Sequence, residues 1–96
     1  MYIKMTTEAL GTAFPNAEYV ILGWDTQIGR VTEGVTYYIA TLDVTSYTDA
    51  TREYVIENRV TLGSMRQDFV EADNTIEKHY AWLMTLDQFS EGTLIK

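Results

Sequence analysis

The sequence contains no cysteine, one proline and one histidine among its 96 residues. Without cysteine, neither a disulfide framework nor a thiolate metal site is available, and a single histidine excludes two-histidine zinc sites. No stretch approaches the ~18 consecutive apolar residues that a membrane span needs, and no apolar signal-peptide region follows the N-terminus. We therefore expect one soluble domain over residues 1–96, cytoplasmic or in a virion and not secreted by a signal peptide.

Basic residues are also scarce: seven Lys and Arg face fourteen Asp and Glu, for a formal charge of −7. A nucleic-acid-binding domain normally carries a basic stripe, so direct contact with DNA or RNA is disfavoured. A dense face of carboxylates can instead imitate DNA phosphates. One alternative function is therefore a small acidic inhibitor, such as an anti-defence protein that blocks a basic nucleic-acid-binding surface.

What the sequence has in abundance is residues that suit strands, among them 14 Thr and seven Tyr. Residues 18–28 and 35–44 predict two strands joined by a glycine-bounded loop at 29–34. Residues 6–14 predict a short N-terminal helix that Thr6 or Thr7 caps and Pro15 ends. An apolar pair near the C-terminus, Leu94 and Ile95, predicts one more short strand.

The C-terminal half allows two interpretations. Two-residue turns at Gly63-Ser64 and Asp73-Asn74 would join strands 52–62, 65–72 and 75–86 into a meander, whose register separates apolar from polar side chains through both turns. Residues of the same half also fall on one heptad register, which predicts a helix over 64–89. Because glycine, aspartate, asparagine and threonine would lie inside that helix, the meander is favoured.

The predicted fold class is therefore α+β with β dominant: a short N-terminal helix on a five- or six-stranded antiparallel sheet. A sheet of this length can stay open or curl into a small barrel or sandwich, and the sequence leaves both outcomes open. The alternative is a β-hairpin followed by the long helix 64–89. In the meander, Ile56, Phe69 and Trp82 are expected to be buried on one side of a single sheet.

The meander register also aligns Arg59, Asp68 and His79 across three strands. A carboxylate that orients an imidazole is half of a hydrolase triad, but no nucleophile accompanies it. We interpret the three residues as a cross-strand charge ladder. The sequence also lacks the glycine-rich phosphate-binding motifs, H-E-x-x-H and G-x-S-x-G. We predict no enzyme, no cofactor and no metal site.

Aromatic residues supply the remaining candidate site. Trp24, Tyr37, Tyr38 and Tyr47 are predicted to form an interaction surface, because tyrosine and tryptophan suit contacts that bury an apolar body and keep a polar tip wet. The predicted function is a non-catalytic interaction or assembly module whose partner is another protein or a homo-oligomer of itself. In size, acidity and β character the chain resembles the head-completion, tail and decoration proteins of bacteriophages, without a motif that they share.

Overall fold

The computed structural model describes the backbone of residues 1–64 and 69–96 and the side chains of residues 1–57 and 69–96. The described strands are β1 (Tyr2–Lys4), β2 (Thr7–Ala9), β3 (Thr12–Phe14), β4 (Glu18–Thr32), β5 (Val35–Tyr47), β6 (Val55–Ser64) and β7 (Thr93–Ile95). The helix α1 spans Ile76–Leu83, and two 3₁₀ turns span Glu71–Asp73 and Asp87–Phe89. The β-dominant α+β class is confirmed.

Five of these strands form one antiparallel sheet in the order β6-β5-β4-β1-β7, and β2 pairs with β3 separately. Within the described strands, β6 and β7 lie at opposite ends and do not pair. The sheet is therefore open there, and these strands do not form the closed barrel that the sequence allowed as one outcome. The predicted C-terminal strand is confirmed, since β7 pairs with β1 at the sheet edge.

The two longest strands, β4 and β5, make one continuous hairpin. The predicted strands 18–28 and 35–44 are confirmed, but the predicted loop 29–34 is mostly strand. Pairing continues to Thr32 and Val35, and only Glu33 and Gly34 form the turn, with φ of 53° and 79°. Two positive φ angles are the signature of a type I′ turn, whose twist matches that of the strands it joins.

Two bulges bend this hairpin, because β4 carries an extra residue at Leu22 and again at Gly29. At the second bulge β4 passes very close to β5. A Cβ on Gly29 would lie 2.9 Å from Cγ1 of Ile39, so a larger residue would force the Ile39 side chain to move. Bulges of this kind increase the local twist of the paired strands.

The predicted N-terminal helix over 6–14 is wrong, because this segment is the β2–β3 hairpin. Leu10 and Gly11 have φ of 53° and 77°, a second type I′ turn. An isolated helix this short is marginal in water. The hairpin also gains a long-range contact, since the hydroxyl oxygens of Thr7 and Tyr19 lie 2.9 Å apart.

The predicted strand 75–86 is wrong, because α1 occupies Ile76–Leu83. The Thr75 side chain accepts a hydrogen bond from the Lys78 backbone N–H and so caps the helix. Among the described residues, the alternative helix 64–89 is correct only over these eight. Asn74 has φ of −83° and follows a 3₁₀ turn, so Asp73-Asn74 is not a type I′ hairpin turn.

The other predicted turn, Gly63-Ser64, is also wrong, because both residues lie within β6. The predicted strand 65–72 falls largely outside the described residues. Where the description resumes, Phe69 makes an isolated antiparallel bridge with Tyr38, and the 3₁₀ turn follows at Glu71. Phe69 is buried as expected, whereas Ile56 and Trp82 are only half-buried.

The core forms where α1 packs on one face of the sheet, here called the inner face. Its buried apolar members are Ile3, Tyr19, Ile21, Ala40, Leu42, Val44, Phe69, Tyr80, Leu83 and Phe89. The Tyr80 hydroxyl ties the helix to two strands, since it accepts from the Ile21 backbone N–H at 2.8 Å and donates to the Met1 carbonyl at 3.1 Å. It thereby satisfies a backbone donor of β4 just beyond the end of β1.

The molecule is elongated, with principal extents of 50 × 21 × 20 Å. Its Cα radius of gyration is 14.7 Å, whereas a compact chain of this length would have about 12.5 Å. The fifteen residues of β4 span about 50 Å at the usual rise of a strand. The β4–β5 hairpin therefore sets the long axis. In the described part of the chain, no helix has the length and apolar character to cross a membrane.

Candidate interaction surface

The outer part of the β4–β5 hairpin, residues 25–39, is here called the arm. Every residue from 25 to 35 is exposed. Three of them are large and apolar: Ile28 is 67% exposed, Val31 64% and Val35 40%. Ile28 pairs with Tyr38, on the same strand face as the buried Ala40 and Leu42. The inner face thus continues along the arm beyond the part that α1 covers.

The four aromatic residues predicted to form one surface lie at three separate places. Tyr37 and Tyr38 are neighbours on the arm but point to opposite faces of β5. Tyr38 packs on Phe69, with ring centroids 6.1 Å apart. Trp24 lies at the base of the arm, and Tyr47 lies at the other end of β5. The structure therefore brings only Tyr37 and Tyr38 onto the arm itself.

The outer face of the arm carries an ordered cation–π contact. The Arg30 guanidinium lies 4.5 Å from the ring centroid of Tyr37, the residue with which Arg30 pairs across the hairpin. The same guanidinium donates a hydrogen bond of 3.3 Å to the Thr32 hydroxyl. Because these side chains hold one another, the outer face near the tip presents a defined surface rather than three independent side chains.

At the base of the arm, Trp24, Asn74 and His79 form a partly buried polar cluster, called here the Asn74 cluster. The Trp24 indole N–H donates to Asn74 Oδ1 at 2.9 Å, and His79 Nε2 lies 2.9 Å from the same oxygen. Tryptophan is only a donor, so the shared atom must be the amide oxygen. His79 Nε2 therefore carries a proton and donates as well.

His79 is fully buried and held between rings, with its centroid 4.5 Å from that of Trp24 and 5.8 Å from that of Phe69. Burial lowers the pKa of His79, because the apolar surroundings disfavour its charged form. The ring is therefore neutral near pH 7 with the proton on Nε2. His79 is therefore a structural group of the core, whereas the predicted strand register placed it in a cross-strand charge ladder.

The predicted ladder of Arg59, Asp68 and His79 required all three residues to lie on adjacent strands. His79 lies on α1 and points into the core, so the strand position assigned to it is wrong. The side chains of Arg59 and Asp68 lie outside the described residues.

The sequence analysis missed an ion pair at the far end of the sheet, in which a buried carboxylate meets a partly exposed guanidinium. Glu18 is 4% exposed, and its carboxylate accepts a hydrogen bond from Arg52 Nε at 3.1 Å. The same guanidinium lies 5.7 Å from the Tyr2 ring centroid and 5.9 Å from that of Tyr47. Thirty-four residues separate the partners, and no local pattern links them.

A pocket of about 360 Å³ opens on the outer face at the base of the arm, lined by residues 22–25 and 41–43. We call it the Asp43 pocket. One carboxylate oxygen of Asp43, Oδ1, is buried and has no hydrogen-bond partner among the described residues. Among the described side chains this is the one buried polar atom left unsatisfied. Native structures rarely leave such an atom unpaired, so the pocket is the second candidate site.

Two further sources of evidence on function are metal-binding clusters and likeness to known proteins. Within residues 1–57 and 69–96, no three His, Asp or Glu side chains converge closely enough to hold a metal ion. Comparison with known proteins finds no matching family model, no matching curated protein and no matching solved structure. The arguments for function therefore rest on the arm and the Asp43 pocket.

Proposed function

We propose that this protein is a non-catalytic protein–protein interaction or assembly module and that the arm is its main contact element. The observation that carries the proposal is the exposure of Ile28 and Val31 on a hairpin that extends beyond its own core. Burying a side chain of this kind contributes roughly 1.5–3 kcal/mol. A partner that covered the inner face of the arm would gain this stabilisation.

The shape of the arm supports the same proposal. A two-stranded ribbon with no third layer is marginally stable by itself, and an open apolar ribbon is an aggregation hazard unless it is covered. Here the ribbon continues the strands of a folded body, which holds its direction and register. A protruding hairpin whose register is already set loses less conformational entropy on binding a neighbouring subunit than a disordered segment would.

A narrower form of the proposal is a small bacteriophage structural protein, acting in head completion, in the tail or as a decoration, present in several copies per particle. It rests on the chain's small size, its acidity and its Thr- and Tyr-rich β character, together with the arm. The genomic neighbourhood tests this form. Capsid and tail genes alongside would support it, and defence-associated genes would favour the inhibitor instead.

The broader proposal is tested by light scattering after size exclusion, and by binding to the products of neighbouring genes. Ile28→Thr and Val31→Thr should weaken self-association or partner binding without lowering the melting temperature. Leu10→Asn is the matched control, because Leu10 is fully exposed but lies in the β2–β3 turn away from the arm. A stable monomer without affinity for its neighbours' products would refute the proposal.

Salt dependence separates this proposal from the acidic inhibitor. A contact made by Ile28 and Val31 should change little between low and high ionic strength, because the contact is apolar. A carboxylate surface that imitates DNA phosphates should lose affinity steeply as salt screens it.

A further inference from the structure

On the side away from β5, β4 has a neighbouring strand along only part of its length. β1 pairs with β4 at Glu18 and Tyr19, and the next outward backbone donor, that of Ile21, is satisfied by the Tyr80 hydroxyl. From Leu22 to Ile28, β4 has a described strand neighbour on the β5 side alone. At its other edge, the backbone donors and acceptors of this stretch have no hydrogen-bond partner in the described part of the chain.

The open edge of β4 favours one kind of partner, an extended strand. Alternate N–H and C=O groups in a row are satisfied together by another extended strand, which is how peptides add to exposed sheet edges. The stretch between the two bulges, Gly23–Ile28, keeps a regular register with β5 over six residues. A six-residue segment matches the usual length of a strand.

Asp43 lies on β5, one strand in from the open edge of β4, and Gly23 lies between Asp43 and that edge. Gly23 pairs directly with Asp43, and a Cβ added to Gly23 would meet no atom within 4 Å. A strand added beside β4 would lie about 5 Å from β4 and about 10 Å from β5. Lysine and arginine have the length to reach Asp43 over the side-chain-free Gly23.

The charges favour the same kind of side chain. Asp43 Oδ1 is buried without a donor from any described residue, and Asp25, which pairs with Thr41 on the same face, adds a second carboxylate to the pocket. An ammonium or guanidinium group would supply the missing donor and offset both charges. Leu22, 58% exposed at the rim, could pack against the aliphatic stem of such a side chain.

We propose, resting on the proposed interaction function, that the open edge of β4 binds an extended segment of a partner protein and that a lysine or arginine of this segment binds Asp43. The backbone of Gly23–Ile28 supplies the strand pairing, and the Asp43 pocket supplies the preference for a basic side chain. The exposed Ile28 contributes apolar contact on the opposite, inner face. The partner is thus a strand-forming, basic segment.

The test is an NMR titration of the full chain with a capped hexapeptide, Thr-Val-Arg-Val-Thr-Val. Its arginine and threonines share one face, and its valines share the other. We expect shifts at residues 22–28 and 41–43. Asp43→Asn should lower the affinity for this peptide by about tenfold or more, because it removes a charge-assisted hydrogen bond. The affinity for the same peptide with glutamine in place of arginine should not change.

Three controls make the result specific. Glu33→Gln removes a carboxylate at the tip of the arm and should leave the peptide affinity unchanged. Gly23→Val places a side chain across the route to Asp43 and should remove the preference for arginine over glutamine. Two peptides, N-methylated at odd or at even positions, should differ sharply, since only one set of amides faces β4. The melting temperature of each variant verifies that it is folded.

Each remaining outcome counts against the proposal in a recognisable way. No shift at residues 22–28 with millimolar peptide, or equal affinities for native and Asp43→Asn protein, overturns it. A dimer that Gly23→Val dissociates would make a second copy the occupant and overturn the proposal as stated. If Ile28→Thr abolishes partner binding while the Asp43 and Gly23 variants do not, this inference fails and the proposed function stands.

Discussion

The two halves of the β4–β5 hairpin are built from the same two strands but have opposite surroundings. Near its base, Ile21, Leu42 and Val44 are buried under α1, whereas on the arm Ile28 and Val31 are more than 60% exposed. The strands, their pairing and their apolar residue types continue from one half to the other. The difference is the third layer: α1 covers the base of the hairpin and ends before the arm begins.

This comparison predicts two levels of stability in one hairpin. Residues at the base contribute to the single core, so their loss should unfold the whole domain. Residues on the arm contribute strand pairing without a covering layer, and such regions open locally at low free energy. Backbone amides of the arm should therefore exchange with solvent faster than amides of the same two strands near the base.

The largest expected effect comes from removing core volume. Leu83 of α1 is fully buried, and Leu83→Ala should lower the free energy of unfolding by about 2–5 kcal/mol through lost burial and the cavity that remains. Val31→Ala on the arm should change it by less than about 0.5 kcal/mol. Urea denaturation followed by circular dichroism measures both. Similar effects at the two positions would show that the arm belongs to the core.

The Asn74 cluster links the base of the arm to the C-terminal half. Removing it should therefore give the next largest loss of stability. Asn74→Ala leaves the buried donor of His79 and the partly buried donor of Trp24 without their shared acceptor and should cost about 1–2 kcal/mol. Asn16→Ala, at an exposed position, is the control and should be neutral. If Asn74→Ala were equally neutral, the cluster would contribute nothing to the free energy of unfolding.

Acidification should weaken the core and spare the arm. The pKa of His79 is lowered in the folded protein from its ordinary value of 6.5, so near and below pH 6.5 the unfolded chain binds more protons than the folded one. Stability is then complete above pH 6.5 and falls as the pH decreases below it. Melting temperatures from pH 8 to pH 5 should show this loss, and His79→Gln should flatten it within that window.

The pH prediction has a direct contrary outcome. If the His79 ring resonances of the folded protein titrate at or above 6.5, burial does not control this group, and another residue must cause any acid sensitivity. Asp49, whose pKa is lowered by hydrogen bonds from Thr51, titrates below its ordinary value of 3.8 and does not interfere between pH 5 and 8.

The smallest effect concerns the tip of the arm. Glu33 has a positive φ of 53° in the turn, a conformation that asparagine accepts better. Glu33→Asn should stabilise the turn by roughly a few tenths of a kcal/mol. Hydrogen exchange should show slower opening of the arm amides and no change near α1. A change of equal size in both regions would mean that the arm and the core open together.

The sequence predicted part of the candidate surface and missed the rest for an identifiable reason. Tyr37 and Tyr38 were correctly placed on a strand, because alternation along a strand is a local property. The Asp43 pocket and the Glu18–Arg52 pair each depend on residues that meet only when β4 and β5, or β4 and the 48–54 connection, come together. Nothing within either segment specifies the partner.

By itself, the sequence determined the acidic charge, the absence of cysteine chemistry, the strands β4, β5 and β7, and a β-dominant class. These follow from composition and from short-range periodicity. Tertiary structure alone decided the ambiguous segments, since residues 6–14 can form a helix or a hairpin, and residues 75–86 fit either period. Packing resolved both: Tyr80 and Leu83 reach the core from α1. It also left the arm uncovered, because one eight-residue helix cannot extend along a hairpin of about 50 Å.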